Sequence, residues 1–334
     1  MNDNIYHPIG LQTLVVTGSS GFLGRNLVEW LTLKGYNVKA ISRRSIGSIS
    51  GKAHKIKIDD YYDVPTLTSY FAGSECVIHL AARAHIQKKK YSEKEMQAFK
   101  RANVDIALAC ADAAVRAGCQ RFVFVSSIGV NGQATNGVPF TENDGPSPED
   151  FYSFTKWLAE CALSKFFCGT KVELVVVRPP LVYGPHSPGN FGMLISLLRF
   201  LPMHPFRALN SKRSYIGISN LCSALEVAAF NSRCGNKLFL VSDGNDIEFS
   251  HLVGIIFTSM GKSNIPELDV PKKLLNFIAS ILGQKKSFLK LTNELLVDSR
   301  LFKETTGWRP PYTIEKGISS AVISNRINSK YRRK

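Results

Sequence analysis

Residues 14–35 read LVVTGSSGFLGRNLVEWLTLKG: a short apolar run, a glycine-rich turn and an amphipathic helical stretch in immediate succession. No other segment restricts the fold as much. Gly18, Gly21 and Gly24 are spaced three and three. In that context Gly18 permits a tight turn, Gly21 lets backbone N–H groups approach a pyrophosphate at the positive end of a helix, and Gly24 permits close helix-to-strand packing. A glycine pattern alone is weak evidence, because turns use glycine anyway. Placed after a strand and before a helix, it marks a dinucleotide site, with Ser20, Gly21, Phe22 and Leu23 as further candidate contacts.

The same alternation continues along the chain. YNVKAIS reads as a second strand, and CVIHLAA (76–82) and RFVFVSS (121–127) as strands flanking the helical stretch FKRANVDIALACADAAVRAG. A helix beginning near Tyr152 leads to VELVVVRPP (172–180). Short, fully apolar strands alternating with helices predict a parallel sheet covered on both faces. The fold class is therefore α/β, a doubly wound parallel sheet of Rossmann type. Beyond Arg178 the rhythm breaks at Pro185, Pro188, Pro202 and Pro205, and NKLFLVSDG (236–244) reads as a late strand returning to the sheet. The expected division is a dinucleotide-binding part over 1–185, rejoined at about 212–243, and a smaller substrate-binding part over 186–211 and 244–334.

At 334 residues, 44% hydrophobic and 20% charged, the chain has the composition of a soluble globular protein. The amino terminus lacks a basic start followed by an apolar core, so a cytoplasmic address is expected. Seven cysteines with no CxxC pair suit reduced thiols and suggest no metal site. The net charge of +16 should attract anions. Its lysine and arginine runs are dispersed and sit in no nucleic-acid-binding motif, so no nucleic-acid partner is expected. KKLLNFIASILGQKK (272–286) is apolar between lysine pairs. Its interior is too short to span a bilayer; packing against the smaller part is the main expectation and peripheral membrane contact the minor one.

Where an NAD site would place a carboxylate at the end of the second strand, the chain has Ile41-Ser42-Arg43-Arg44. Guanidinium groups pair with a 2′-phosphate that a carboxylate would repel. NADP(H) is thus favoured, with NAD(H) the alternative. Asp59, after the third strand, is a candidate adenine-side contact.

Ser127 closes the strand RFVFVSS, and Tyr152 and Lys156 lie one helical turn apart in DFYSFTKW. Hydride transfer at nicotinamide must be matched by proton transfer at the substrate oxygen. A tyrosine whose phenolate is stabilised by a neighbouring ammonium is suited to that task, with Ser127 polarising the same oxygen.

With TGSSGFLG, HLAA at 79, Asn103 in RANVDIA, Ser127, YSFTK, RPPLVYGP at 178 and RSYIGISNL at 213, the chain resembles the extended short-chain dehydrogenase/reductase family of nucleotide-sugar epimerases, dehydratases and 4-ketoreductases. The resemblance implies Leu80, Ala81, Ala82 and Asn103 at the cofactor, and Lys156 on the nicotinamide ribose as well as beside Tyr152. It implies Arg213 at the diphosphate of a UDP-sugar and Asn190 at the nucleotide; His85 is a weaker substrate candidate. A homodimer is a further family expectation.

Dehydratases carry an Asp-Glu pair after the position of Ser127, where this chain has Ile128-Gly129, so dehydration is disfavoured. The family's RxGD segment is absent near 290, where FLKLTNELL stands. The favoured activity is NADP(H)-dependent reduction of the C4 keto group of a UDP-linked 4-keto-6-deoxy-N-acetylhexosamine in bacterial surface-polysaccharide synthesis. The alternatives are a UDP-glucose or UDP-N-acetylglucosamine 4-epimerase with bound NAD and, in another class, a catalytically silent dinucleotide-binding regulator.

Overall fold

Each apolar run that reads as a strand forms one in the computed structural model, which describes residues 12–47, 52–84 and 92–331, with backbone alone over 325–331. The first six strands of the main sheet are β1 (Thr13–Thr17), β2 (Asn37–Ser42), β3 (His54–Lys57), β4 (Cys76–His79), β5 (Arg121–Val125) and β6 (Glu173–Arg178). Later in the chain come β7 (Leu181–Tyr183), β8 (Lys212–Arg213), β9 (Tyr215–Gly217), β10 (Lys237–Leu240) and β11 (Ile247–Glu248). The seven-stranded sheet has the order β10-β6-β5-β4-β1-β2-β3, with every neighbour parallel. Strand order reverses between β1 and β4, the switch point where ligands bind in such sheets.

The helices are α1 (Phe22–Leu33), α2 (Val64–Phe71), α3 (Glu93–Lys100), α4 (Ile106–Arg116), α5 (Phe151–Phe167), α6 (Gly189–Phe200), α7 (Ile218–Phe230), α8 (Phe249–Ser259), α9 (Lys272–Ile281), α10 (Lys285–Thr292), α11 (Arg300–Thr306) and α12 (Ile314–Tyr331). The two-residue period of the strands explains why the runs are apolar at every position. Leu14, Val16, Val38, Ala40, Ile78, Val123 and Val177 point into the core under α1 and α7. Val15, Ile41, Val77, Phe122, Phe124 and Val176 point into the opposite core with residues of α2, α4 and α5. Each such side chain, fully buried, stabilises by roughly 1.5–3 kcal/mol, and a polar residue at either parity would face a dry core.

The returning strand expected at 236–244 is β10, paired with β6. Residues 212–217 do not join that sheet: β8 pairs with β11 and β9 with β7 in two small sheets. A third core gathers Phe191, Leu194 and Leu198 of α6, Phe249, Val253 and Phe257 of α8, and Ile314 and Ile318 of α12. The continuous helix expected in FKRANVDIALACADAAVRAG is interrupted, because five π-helical residues, Arg101–Asp105, separate α3 from α4. Such bulges concentrate at functional positions, and this one contains Asn103.

Candidate active site

The glycine turn has the geometry that its spacing predicts. Gly18 adopts φ +67°, and a Cβ there would stand 2.6 Å from the backbone nitrogen of Ala81. A Cβ on Gly24 would stand 2.4 Å from the Gly18 carbonyl oxygen, so the first turn of α1 lies directly on the loop. Helix α1 starts at an N-cap glycine, Gly21, with no side-chain cap. The N–H groups of the first turn are therefore left for an anionic ligand. Phe22 and Leu23 send their side chains into the core beneath, so their contribution to a cofactor is restricted to the backbone.

Beside this turn opens a cleft of about 930 Å³ lined by Gly18, Ser20, Gly21, Ser42, Arg43, Arg44, Leu80, Ala81 and Ala82, together with Tyr61, Tyr62, Arg83 and Arg101. A chamber of this size, a Cβ-free cradle and open helix N–H donors fit a dinucleotide. No carboxylate is among the described residues that line it. Asp59 does not line this cleft: its side chain is 96% exposed and lies 3.8 Å from Lys57, and of the residues that follow it Tyr61 is the one turned inward. Tyr61 lines the cleft, accepting from the Gly18 N–H at 3.4 Å and donating to the Ile41 carbonyl at 3.2 Å. The signal for Tyr61 is present in DDYYD, where the carboxylates on either side mask it. Arg83 and Arg101 carry no motif and were not legible.

Leu80 and Ala81 donate their N–H groups to Thr17 Oγ1 at 3.2 and 3.4 Å, leaving its proton for His79 Nδ1 at 2.9 Å. His79 is stacked against Phe122 and Phe124. Burial, reinforced by Lys156, pulls its pKa down to about 3, so it is a neutral strand-end prop. Asn103 does not line the cleft. Its amide accepts from the Arg83 N–H at 2.7 Å and donates to Thr155 Oγ1 at 2.9 Å, fastening the loop after β4 to the residue that precedes Lys156. His85 lies outside the described residues.

Ser127 caps a single 3₁₀ turn, Ile128–Val130, and its Oγ accepts from the Gly129 N–H at 3.1 Å. That leaves the hydroxyl proton available to a substrate oxygen. A Cβ on Gly129 would meet Ser153 Oγ at 2.3 Å, so the glycine allows the first turn of α5 to press against the Ser127 turn. A side chain at 129 would therefore require the Ser153 hydroxyl to move. Helix α5 is capped by Asp150, which accepts from the Ser153 N–H at 2.8 Å and pairs with Lys290 at 2.9 Å.

Tyr152 is half-buried on the first turn of α5, and no hydrogen bond engages its hydroxyl among the described residues. Lys156 is 2% exposed. Its ammonium donates to the Val125 carbonyl at 2.7 Å and lies 4.3 Å from the centre of the Phe124 ring. The charges differ from the simple phenolate–ammonium expectation. Burial, with the Asp150 carboxylate adding to it, pushes the Tyr152 phenol up to about 12. Burial pulls Lys156 down to about 7, opposed by Glu160. The resting site thus holds a protonated phenol, an acid ready to donate. Glu160 is tied up by Arg178, which also donates to Asn131 at 2.9 Å; Arg178 is a strut between β6, α5 and the turn after Ser127.

A buried, incompletely paired lysine costs stability. Because its folded-state pKa lies below the ordinary lysine value near 10.4, the unfolded chain binds the extra proton between about 7 and that value. Stability therefore rises with pH across that window, and the cost is fully present below 7. Lys156→Met is expected to raise resistance to urea unfolding at pH 6.5 by roughly 1–3 kcal/mol, while removing turnover. Equilibrium unfolding at pH 6.5 and 9.5 checks this; an equal gain at both values contradicts the cause.

Arg213 is in β8 and is 6% exposed. One guanidinium nitrogen donates to the Asn293 carbonyl at 2.9 Å, while Nε has no partner among the described residues. The neighbouring Tyr215 hydroxyl is likewise buried and unpartnered. The strand segment that holds Arg213 is bonded to Leu295, and Leu295 and Val297 pack on Ile128 beside Ser127. Asn190 is half-buried in the first turn of α6, and no hydrogen bond joins it to Ser127, Tyr152 or Lys156. Among the described residues no cluster of three His, Cys, Asp or Glu could hold a metal ion, and no helix is long and apolar enough to cross a membrane.

Residues 14–238 match the model of the NAD dependent epimerase/dehydratase family. The chain belongs to that family. It is 33% identical over 318 residues to UDP-glucose 4-epimerase of Vibrio cholerae, covering 93% of this chain and 94% of the relative. Among solved structures it is similar to UDP-glucose 4-epimerase of Thermotoga maritima with UDP-glucose, at a TM-score of 0.74 and 23% identity over 95% of this chain and 100% of that one. MoeE5 in complex with UDP-glucose and NAD superposes with a TM-score of 0.73 at 23% identity, covering 95% and 99%. As a family member the protein is an NAD(P)-dependent enzyme, and the silent-regulator alternative falls.

Proposed function

We propose that the protein is an NADP(H)-dependent reductase of the C4 keto group of a UDP-linked 4-keto-6-deoxy-N-acetylhexosamine, acting in the cytoplasm as a homodimer in bacterial surface-polysaccharide synthesis. The observation that carries the reading is the cofactor cleft, where Arg43 and Arg44 take the place of the carboxylate that a ribose diol would need. A bound dihydronicotinamide would supply the hydride. Tyr152, held protonated, donates its proton to the substrate oxygen as the carbonyl is reduced, and Ser127 donates a hydrogen bond to that same oxygen. Lys156, whose ammonium donates to the Val125 carbonyl, would contact the nicotinamide ribose. The unpartnered Nε of Arg213 and the Tyr215 hydroxyl suit the diphosphate, and Asn190 would meet the nucleotide. Residues 186–211 and 244–334 would cover the substrate. With Ile128 and Gly129 after Ser127 there is no acid for a 4,6-elimination.

A second reading, a UDP-hexose 4-epimerase that keeps NAD bound, is favoured by the Vibrio cholerae relative. Purified protein given UDP-4-keto-6-deoxy-N-acetylhexosamine and NADPH should oxidise the cofactor stoichiometrically; interconversion of UDP-glucose and UDP-galactose without added cofactor would establish the epimerase instead. The double substitution Arg43→Ala/Arg44→Ala is expected to weaken NADPH binding by at least about tenfold, since each charge-assisted hydrogen bond contributes roughly 1.5–3 kcal/mol. NADH binding should be nearly unchanged. Fluorescence titration with both nucleotides reads the difference, and equal losses for the two remove the argument from Arg43 and Arg44.

A further inference from the structure

Helix α9 has two apolar faces where a surface helix ordinarily has one. Leu275 and Ala279 are buried on its inner side, with Leu275 in the third core. Leu274, Phe277, Ile278 and Ile281, at i, i+3, i+4 and i+7, form a second stripe on the outside. Phe277 is 63% exposed, Ile281 70% and the following Leu282 67%. The packing expected for this segment is thus only half realised. Helix α10 contacts both α9 and α6, and α6 carries its own exposed stripe of Met193, Leu197 and Phe200.

The charge around the stripe is of one sign. Lys272 and Lys273 begin α9 and Lys285 and Lys286 begin α10; none of the four forms an ion pair among the described residues, and there is no Asp or Glu from 271 to 293. Cations at helix N-termini oppose the helix dipole, so these lysines do not serve the stability of their own helices. A second copy of the chain laid α9 against α9 would bring the lysines together, and the carboxylates just before the helix, Glu267 and Asp269, are already paired with Arg207. An anionic phospholipid surface complements both the stripe and its rim. A helix of ten residues is about 15 Å long, suited to lying in the headgroup layer and not to crossing it.

We propose that the α9–α10 face docks the protein on an anionic phospholipid bilayer, with Leu274, Phe277, Ile278, Ile281 and Leu282 entering the headgroup–acyl boundary and the flanking lysines meeting lipid phosphates. The docking does not depend on which substrate the active site takes. The test is co-sedimentation of the full chain with vesicles of phosphatidylglycerol and phosphatidylethanolamine, set against vesicles of phosphatidylcholine alone. Binding is expected to the anionic vesicles only, and to weaken in about 0.5 M salt.

Phe277→Ser/Ile281→Ser should lower the binding at least about tenfold through lost apolar burial. Lys273→Gln/Lys285→Gln/Lys286→Gln should lower it at least as much, each lysine near such a surface being worth roughly fivefold. Both variants should keep the parent melting temperature, because the substituted side chains are exposed. Failure of the parent protein to sediment with anionic vesicles overturns the proposal, as does undiminished binding by both variants. So does self-association that Phe277→Ser/Ile281→Ser abolishes while vesicle binding is absent, since the face then receives a second copy.

Discussion

Tyr152→Phe is expected to leave folding and dinucleotide binding intact and to cut turnover by at least about a thousandfold, the scale of losing a positioned general acid. Stability should not change at neutral pH, because no protein hydrogen bond engages the hydroxyl among the described residues and the ring keeps its packing. Its phenol, held at about 12, is above the ordinary tyrosine value near 10. Relative to the unfolded chain the protonated form is therefore favoured, and any contribution to stability is complete below pH 10 and lost above it. In the reductive direction, then, Tyr152 should impose no fall in rate between pH 6 and 9. Steady-state rates and a dinucleotide titration on the same preparation decide the matter. Retention of more than about a tenth of the parent rate removes Tyr152 from its role.

Gly18→Ala should abolish dinucleotide binding and lower stability together. The added methyl would stand 2.6 Å from Ala81 N and 2.7 Å from the Leu80 carbonyl carbon, both backbone atoms that no rotamer change can move. The positive φ adds strain. The sum is roughly 2–4 kcal/mol, several degrees in melting temperature. Relief must come by separating the turn from the β4 exit, which widens the cleft that both line; binding should weaken by at least about a hundredfold. Gly73 is the internal control. It has a similar φ of +71°, but a methyl group added there would meet nothing within 4 Å, so Gly73→Ala should cost about 1 kcal/mol and leave binding unchanged. Equal effects from the two substitutions would assign the loss to backbone strain alone and not to the close approach of Ala81.

The family, and the positions of Ser127, Tyr152 and Lys156 in the fold, are legible in the sequence because their signals are local. A strand end and one helical turn fix where those three side chains emerge, and sequence spacing reports both. The adenine-side residues show the opposite case. Asp59 had the expected residue type at the expected place after a strand, yet it faces solvent, and Tyr61 reaches the Gly18 turn across 43 positions of chain. The resemblance likewise puts Asn103 at the cofactor, whereas its amide is taken up in holding Arg83 and Thr155. The segment at 272–286 was legible as apolar between lysines, but not as a helix that turns one apolar face inward and another outward.

The sequence by itself therefore determined the doubly wound sheet, the glycine turn and the placing of Ser127, Tyr152 and Lys156 at a strand end and on one helical turn, because period-two burial, glycine geometry and helical spacing act over a few residues. Only the tertiary structure decided the protonation of the pair and the sign of the cofactor cleft. Burial sets the first, raising a tyrosine and lowering a lysine that spacing alone would have joined as phenolate and ammonium. Distant arginines set the second, since Arg83 and Arg101 join Arg43 and Arg44 only when the β2 and β4 ends and the π-helical turn come together. Desolvation and long-range convergence are properties of the packed chain, and no local pattern carries them.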